Sequence, residues 1–217
     1  TLSNLTIVVP TLNRATAVAK TIKFWSGRGP HILVLDGSSR PLASEFLQTL
    51  DGKITYVHGP HEIGERLKCV REYVKTDFMC LQGDDELHLP SALVACMNKL
   101  TQQSDLVACI GWALGFSQFA SDYLFGHEAY PSLRGYHLSS QDALERISQH
   151  MSPYQAPAHT YAVTRSQVYL RALELSLRTD YSFFAQGEYE IEIAIAAQGK
   201  TTVIPHLHWL RRVEPSE

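Results

Sequence analysis

Three carboxylates, Asp84, Asp85 and Glu86, follow one another soon after a short apolar run at 78–81. Adjacent carboxylates repel, so a fold that gathers them at a strand end usually offsets the repulsion with a cation. Mg²⁺ or Mn²⁺ suits such a place, because each takes few protein carboxylates and completes its shell with phosphate oxygens. The competing reading is a solvated turn ahead of Pro90 whose carboxylates cap the next helix. Asp36 closes another apolar run, beside the small residues Gly37, Ser38 and Ser39. A carboxylate there can accept hydrogen bonds from a base or a ribose, or serve only the turn. A second acidic cluster, Glu188, Glu190 and Glu192, offers general-base candidates, or else a solvated helix face. Late in the chain come His206 and His208, then Trp209 and the basic pair Arg211-Arg212, which could meet phosphate.

The elements that must position these residues alternate in the first hundred positions. Apolar runs at 6–9, 32–35 and 78–81 predict buried strands, and 53–57 alternates as a fourth. Helical patterns fall between and after them, at 15–25, 41–50, 62–75 and 90–100, the first preceded by a possible cap at Asn13. Strand and helix repeated in this way predict an α/β fold with a mostly parallel sheet flanked by helices. Ligands then bind where the strands end, at the switch point. The second half predicts a strand at 105–112, an aromatic-rich loop over 115–139, helices at 141–150, 165–178 and 184–197, and a last strand at 201–204. The segment from Tyr154 to His159 falls where acceptor contacts are expected.

Length and composition bound the rest. With 217 residues the chain reads as one domain, 1–217, in two halves, a regularly alternating 1–104 and a less regular 105–217. A formal net charge of -3 argues against a nucleic-acid partner. No apolar run reaches the roughly 20 residues of a spanning helix. Cys69, Cys80, Cys96 and Cys109 form no C-x-x-C pair and read as reduced buried thiols, so a cytoplasmic setting is expected, including the inner face of the membrane. The start at Thr1 without Met suits a domain cut from a longer protein that carries other domains.

Four motifs in order give the chain a family likeness. They are Thr6-Ile7-Val8-Val9-Pro10-Thr11-Leu12-Asn13-Arg14, then Ile32-Leu33-Val34-Leu35-Asp36-Gly37-Ser38-Ser39. Gly64-Glu65-Arg66-Leu67-Lys68 follows, and then Phe78-Met79-Cys80-Leu81-Gln82-Gly83-Asp84-Asp85 with Pro90 downstream. In order and spacing these resemble the GT-A glycosyltransferases, particularly the family-2-like bacterial enzymes, over roughly the first hundred residues. The resemblance implies a GT-A fold and nucleotide-sugar contacts at Pro10, Thr11, Asn13, Arg14, Asp36, Arg66, Gln82, Gly83 and Asp84. It implies a Mn²⁺ or Mg²⁺ site on Asp84 and Asp85, completed by His208 from the far end of the chain. Gln82 stands where the family places the first Asp of its Asp-x-Asp motif. Gly187-Glu188-Tyr189-Glu190 stands where the family's Gly-Glu-Asp segment carries the base, with Tyr189 in the Asp position, so Glu188 is the first candidate and Glu190 the second.

The activity so implied is inverting, metal-dependent transfer of a sugar from a nucleotide sugar to a glycan, lipid-linked or protein acceptor, in bacterial surface polysaccharide or glycoconjugate synthesis. Two rivals share the fold: a sugar nucleotidyltransferase, and a nucleotide-sugar-binding domain with impaired catalysis. The first usually opens with a Gly-rich loop, which Pro10-Thr11-Leu12-Asn13 lacks.

Overall fold

The computed structural model describes residues 1–119, 123–151, 159–179 and 184–213. The first half alternates as expected: β1 (Leu5–Thr11), α1 (Ala15–Trp25), β2 (His31–Asp36), α2 (Ser44–Leu47), β3 (Ile54–His58), α3 (Ile63–Leu67), α4 (Val70–Tyr73) and β4 (Phe78–Leu81). A short β5 (Leu87–His88) and α5 (Pro90–Gln102) follow. The second half comprises β6 (Leu106–Phe119), β7 (Tyr123–Ala129), β8 (His137–Leu138), α6 (Ala143–Met151), β9 (Val163–Arg165), α7 (Ser166–Ser176), α8 (Phe184–Gln198) and β10 (Lys200–Arg212).

These strands form one sheet in the order β3-β2-β1-β4-β9-β6-β10-β5, with β7 on β6 and β8 on β10. β3, β2, β1 and β4 are parallel to their neighbours, as are β6 and β10; β9 joins the two groups through antiparallel pairing. Strand alternation sorts the core into two layers. Ile7, Val9, Ile32 and Val34 pack with Val18, Ile22 and Trp25 of α1 and Leu93, Cys96 and Leu100 of α5. Val8, Leu33, Leu35 and Met79 face the other way, onto Leu67 and Val70, Tyr169 and Leu173 of α7, and Ile191 and Ile195 of α8. Each fully buried aliphatic side chain contributes about 1.5–3 kcal/mol, which is why these strands sit at the centre. Among the described residues no helix is long and apolar enough to cross a membrane.

Several elements differ from the pattern-based expectation. The helix expected over 41–50 shortens to α2, and that over 62–75 divides into α3 and α4. Asn13 does not cap α1: Arg14 occupies that position, and Asn13 adopts a left-handed φ of 54°. The expected loop over 115–139 is largely strand, because β6 continues to Phe119 and pairs with β7 from Ala113 onward. Gly115, which suggests a loop, is a close-approach site inside the strand, as is Gly111 before it. A Cβ at Gly111 would stand 2.2 Å from the His206 carbonyl oxygen, and one at Gly115 would stand 2.7 Å from the His127 ring. The last strand passes Pro205 and continues to Arg212, with its pairing to β6 slipping between Val203 and Leu207.

A buried polar network ties α8 to the segment ahead of β9. Glu192 of α8 accepts the His159 and Thr160 backbone N–H groups and the Thr160 hydroxyl at 2.6–3.0 Å. The His150 Nε2 and His159 Nδ1 atoms lie 3.3 and 3.2 Å from its carboxylate. Burial alone would raise the Glu192 carboxyl, but His159, His150 and Thr160 together hold it below the ordinary glutamate range. A depressed carboxyl contributes stability that is present above its unfolded pKa and lost as pH falls below it. The Glu192 contribution should therefore fall on acidification through and below about pH 4.5, the ordinary glutamate value. Glu192→Gln should cost on the order of 3 kcal/mol at pH 7 and flatten that acid dependence. Denaturant unfolding of both proteins at pH 7 and pH 4 checks this; equal acid sensitivity would contradict it.

Candidate active site

Parallel register brings three strand ends together. Thr11 at the end of β1 pairs with Asp36 at the end of β2, and the Gln82 N–H beyond β4 donates to the Val8 carbonyl. A cleft of about 430 Å³ opens there, bounded by Pro10, Thr11, Leu12 and Arg14, by His61, Glu62, Ile63 and Arg66, by Gly83, Asp84, Asp85 and Glu86, and by Tyr161.

Asp84 is the most constrained group in the cleft. Its Oδ2 accepts the Thr11 hydroxyl at 2.6 Å, its Oδ1 accepts Arg14 at 2.6 Å, and its carbonyl accepts the Thr21 hydroxyl at 2.7 Å. Burial raises its pKa, against the pull of Thr11 and Arg14. The other terminal nitrogen of Arg14 donates to Asp85, so one guanidinium bridges both carboxylates. Arg66 is buried and donates to the carbonyls of Thr11 and Leu35 at 2.6 Å, and to that of His61 at 3.3 Å. It clamps the ends of β1 and β2 against the 59–62 turn. Gly37 is needed beside it, since a Cβ there would stand 2.6 Å from the Arg66 Nε.

Other expected contacts lie behind the cleft. Asp36 is buried, accepting the Tyr56 hydroxyl at 2.5 Å and the Ser38 N–H at 2.8 Å. Burial and then Asp36 push the Tyr56 phenol up to about 12. Asn13 accepts the Ser39 N–H at 3.0 Å and donates its own N–H to the Ser38 hydroxyl at 2.7 Å, which fastens the first turn to the second. Gln82 points into the core: it accepts the Trp25 indole N–H at 3.1 Å and donates to the Glu86 carbonyl at 3.1 Å. It fills the place of a carboxylate but does not line the cleft.

His208 does not join the acidic run. It is fully buried, with its ring 4.9 Å from that of His88 and its Nδ1 3.5 Å from the Cys96 thiol. Burial holds it down to about 3, so the ring is neutral. The pairing of β10 with β6 slips again between Leu207 and Trp209, and the buried Trp209, not His208, meets the acidic run. The Trp209 indole donates to Glu86 at 2.9 Å, stacks on Tyr161 at 4.5 Å and lies 5.7 Å from Tyr130. Arg211 lies over Tyr130 and Trp209, 3.5 Å from the Glu86 carboxylate. His206 is exposed.

Glu188 connects to the cleft through Tyr161, whose hydroxyl donates to it at 3.1 Å. Burial raises the Glu188 carboxyl, opposed by that hydrogen bond. Glu190 lies two residues on and is half-buried, while Glu192 belongs to the core network. Residues 154–158 of the expected acceptor segment lie outside the described residues. Tyr161 is the member of the site that the sequence patterns left unnamed; its signal is its nearness to the segment from Tyr154 to His159.

Two groups of side chains have donors suited to a metal. Asp84 and Asp85 present hard oxygens to one cleft, a pair of the kind Mg²⁺ or Mn²⁺ takes, while the Glu86 carboxylate is turned to Trp209 and Arg211. His150, His159 and Glu192 also converge, but they are buried, and His159 and Glu192 are committed to hydrogen bonds that fix α8.

A model of "Glycosyl transferase family 2" matches residues 6–164, which span β1 to β9 and hold the whole cleft. The chain belongs to glycosyl transferase family 2. The solved structures agree in fold. Residues 1–349 of S. aureus TarS in complex with UDP-GlcNAc match with a TM-score of 0.66 at 10% identity, over 99% of this chain and 60% of that one. TarS 1–349 alone matches with a TM-score of 0.59 at 10% identity, over 96% and 60%. A longer TarS structure matches at 0.59 and 11% identity, over 98% and 37%. The chain thus spans 60% or less of these neighbours. No curated protein sequence matches it.

Glu86 supplies a direct check on this geometry. Burial pushes its carboxyl up to about 7, against the pull of Arg211 and Trp209. A raised pKa favours the folded state at low pH, and this contribution is lost as pH rises through about 7. Trp209→Phe removes one donor to the charged form, so it should move the Glu86 titration higher still. Carboxyl-carbon NMR reads both proteins; a Glu86 that titrates near 4.5 in wild type, its ordinary value, would contradict the arrangement.

Proposed function

We propose that this domain moves a sugar from a nucleoside diphosphate donor to an acceptor hydroxyl with inversion, using a divalent cation at Asp84 and Asp85. The carrying observation is the carboxylate pair set beside Thr11 at the ends of β1 and β4. UDP-GlcNAc, present in one TarS structure, is the first donor to try. Family membership disfavours the nucleotidyltransferase reading. The proposed acceptor is a glycan, lipid-linked or protein hydroxyl of bacterial surface polysaccharide or glycoconjugate synthesis, in keeping with the family likeness.

In this mechanism the bound Mn²⁺ or Mg²⁺ supplies charge stabilisation for the leaving nucleoside diphosphate. Thr11 holds Asp84 in place, and Arg66 keeps the ends of β1 and β2 together under the donor. Glu188 takes the proton of the acceptor hydroxyl as the bond to the anomeric carbon forms. Its burial, which raises the carboxyl, makes it a better base than an exposed glutamate. Tyr161 fixes one of its oxygens and leaves the other for the acceptor.

Release of UDP from UDP-GlcNAc, followed with Mn²⁺ and with chelator, tests the reaction, and a panel of other nucleotide sugars extends it. Glu188→Gln should lower kcat about 100-fold or more while donor KM changes little. An unchanged kcat would move the base to Glu190 or favour a binding domain without catalysis. Asp84→Asn should weaken both donor binding and turnover, and near-normal metal-dependent transfer by this variant would sink the cation assignment.

A further inference from the structure

The Arg14 guanidinium stands on the oxygens that a divalent cation would need. It holds Asp84 Oδ1 at 2.6 Å and also donates to Asp85. Thr11 takes the remaining Asp84 oxygen. Arg14 is also a wall between two spaces. One is the 430 Å³ cleft already described; the other, of about 780 Å³, lies between α1 and the far ends of β6 and β10, with Thr16, Lys20 and Phe116 on its sides. The side chain is 26% exposed, so it has room to leave the carboxylates without disturbing the core.

Two positive charges cannot share these oxygens at bonding distance without strong repulsion. A cation arriving alone must evict Arg14 and leave the guanidinium without its carboxylate partners. A cation arriving with a diphosphate meets a different balance. The guanidinium loses two carboxylates and gains phosphate oxygens, which match its planar donors equally well.

We propose that Arg14 is a resident counter-cation, exchanged for the divalent cation when the donor binds, and that its released guanidinium then grips the donor diphosphate. This rests on the reading that Asp84 and Asp85 hold a cation. It couples the two ligands: each binds better when the other is present, by the same factor. It also offsets one of the two carboxylate charges before the donor arrives.

Mn²⁺ binding, read by the electron paramagnetic resonance of free Mn²⁺ with and without uridine diphosphate, tests the exchange. In wild type, uridine diphosphate should tighten Mn²⁺ binding about 10-fold or more, within the usual range of coupling between sites. Arg14→Gln should bind Mn²⁺ alone about 10-fold more tightly than wild type, with the coupling to uridine diphosphate reduced to a few-fold. Arg14→Lys, which keeps a charge, should bind Mn²⁺ alone nearly as weakly as wild type. An Arg14→Gln protein with wild-type thermal stability that binds Mn²⁺ no more tightly than wild type would overturn the exchange. Should Arg14→Gln not fold, an Arg14→Lys protein that binds Mn²⁺ alone much more tightly than wild type would do the same. Asp85→Asn separates this from the cation reading: it should lose Mn²⁺ binding with and without uridine diphosphate, and a variant that binds Mn²⁺ as wild type does, or a wild type that binds none under any condition, would sink the cation reading as well.

Discussion

Three successive carboxyl groups leave the end of β4 within one cleft, and their mutual repulsion must be answered by donors from elsewhere in the chain. Thr11 and Arg14 answer it at Asp84 and Asp85 from the first turn, and Trp209 and Arg211 answer it at Glu86 from the last strand. This requirement links the two ends of the sequence. The parallel register of β1 with β4 brings Thr11 near Asp84, and the pairing of β5 with β10 brings Trp209 beside Glu86. Without the sheet, no local interaction would hold these charges together.

The second half of the chain does more than cover the sheet. Tyr161 sits between two functions, donating to Glu188 while stacking on the indole that holds Glu86. The base candidate and the acidic run are therefore positioned by one aromatic pair. Behind Tyr161, Glu192 fixes His159 and Thr160, so the placement of Tyr161 is set by a buried network rather than by a free loop. Rigid support of this kind suits a reaction in which a base must meet an acceptor hydroxyl within hydrogen-bond reach.

Much of the first hundred residues was legible in the sequence, because buried parallel strands leave continuous apolar runs. The four motifs that resemble family 2 fall in the segment that the family model matches. The failures are equally physical. Gly115 read as a loop residue, yet it lets β7 close on β6. Pro205 read as a strand end, yet a register shift absorbs it. Both effects depend on a partner strand distant in sequence, which local patterns do not report. His208 was favoured over Trp209 by its chemistry as a ligand, but the register of β10 sets the buried Trp209 against Glu86. Gln82 was read as a substituted ligand, and its side chain instead satisfies a buried tryptophan and the turn around Glu86.

The central claim is that the ends of β1 and β4 form the donor site, with a cation on Asp84 and Asp85. Anomalous diffraction from crystals grown with Mn²⁺ and a nucleoside diphosphate sugar tests it most directly. The account predicts one manganese peak within bonding distance of the Asp84–Asp85 pair, with the diphosphate between that pair and Arg14. A donor bound elsewhere, or one seated in this cleft with no manganese at the pair, would contradict it.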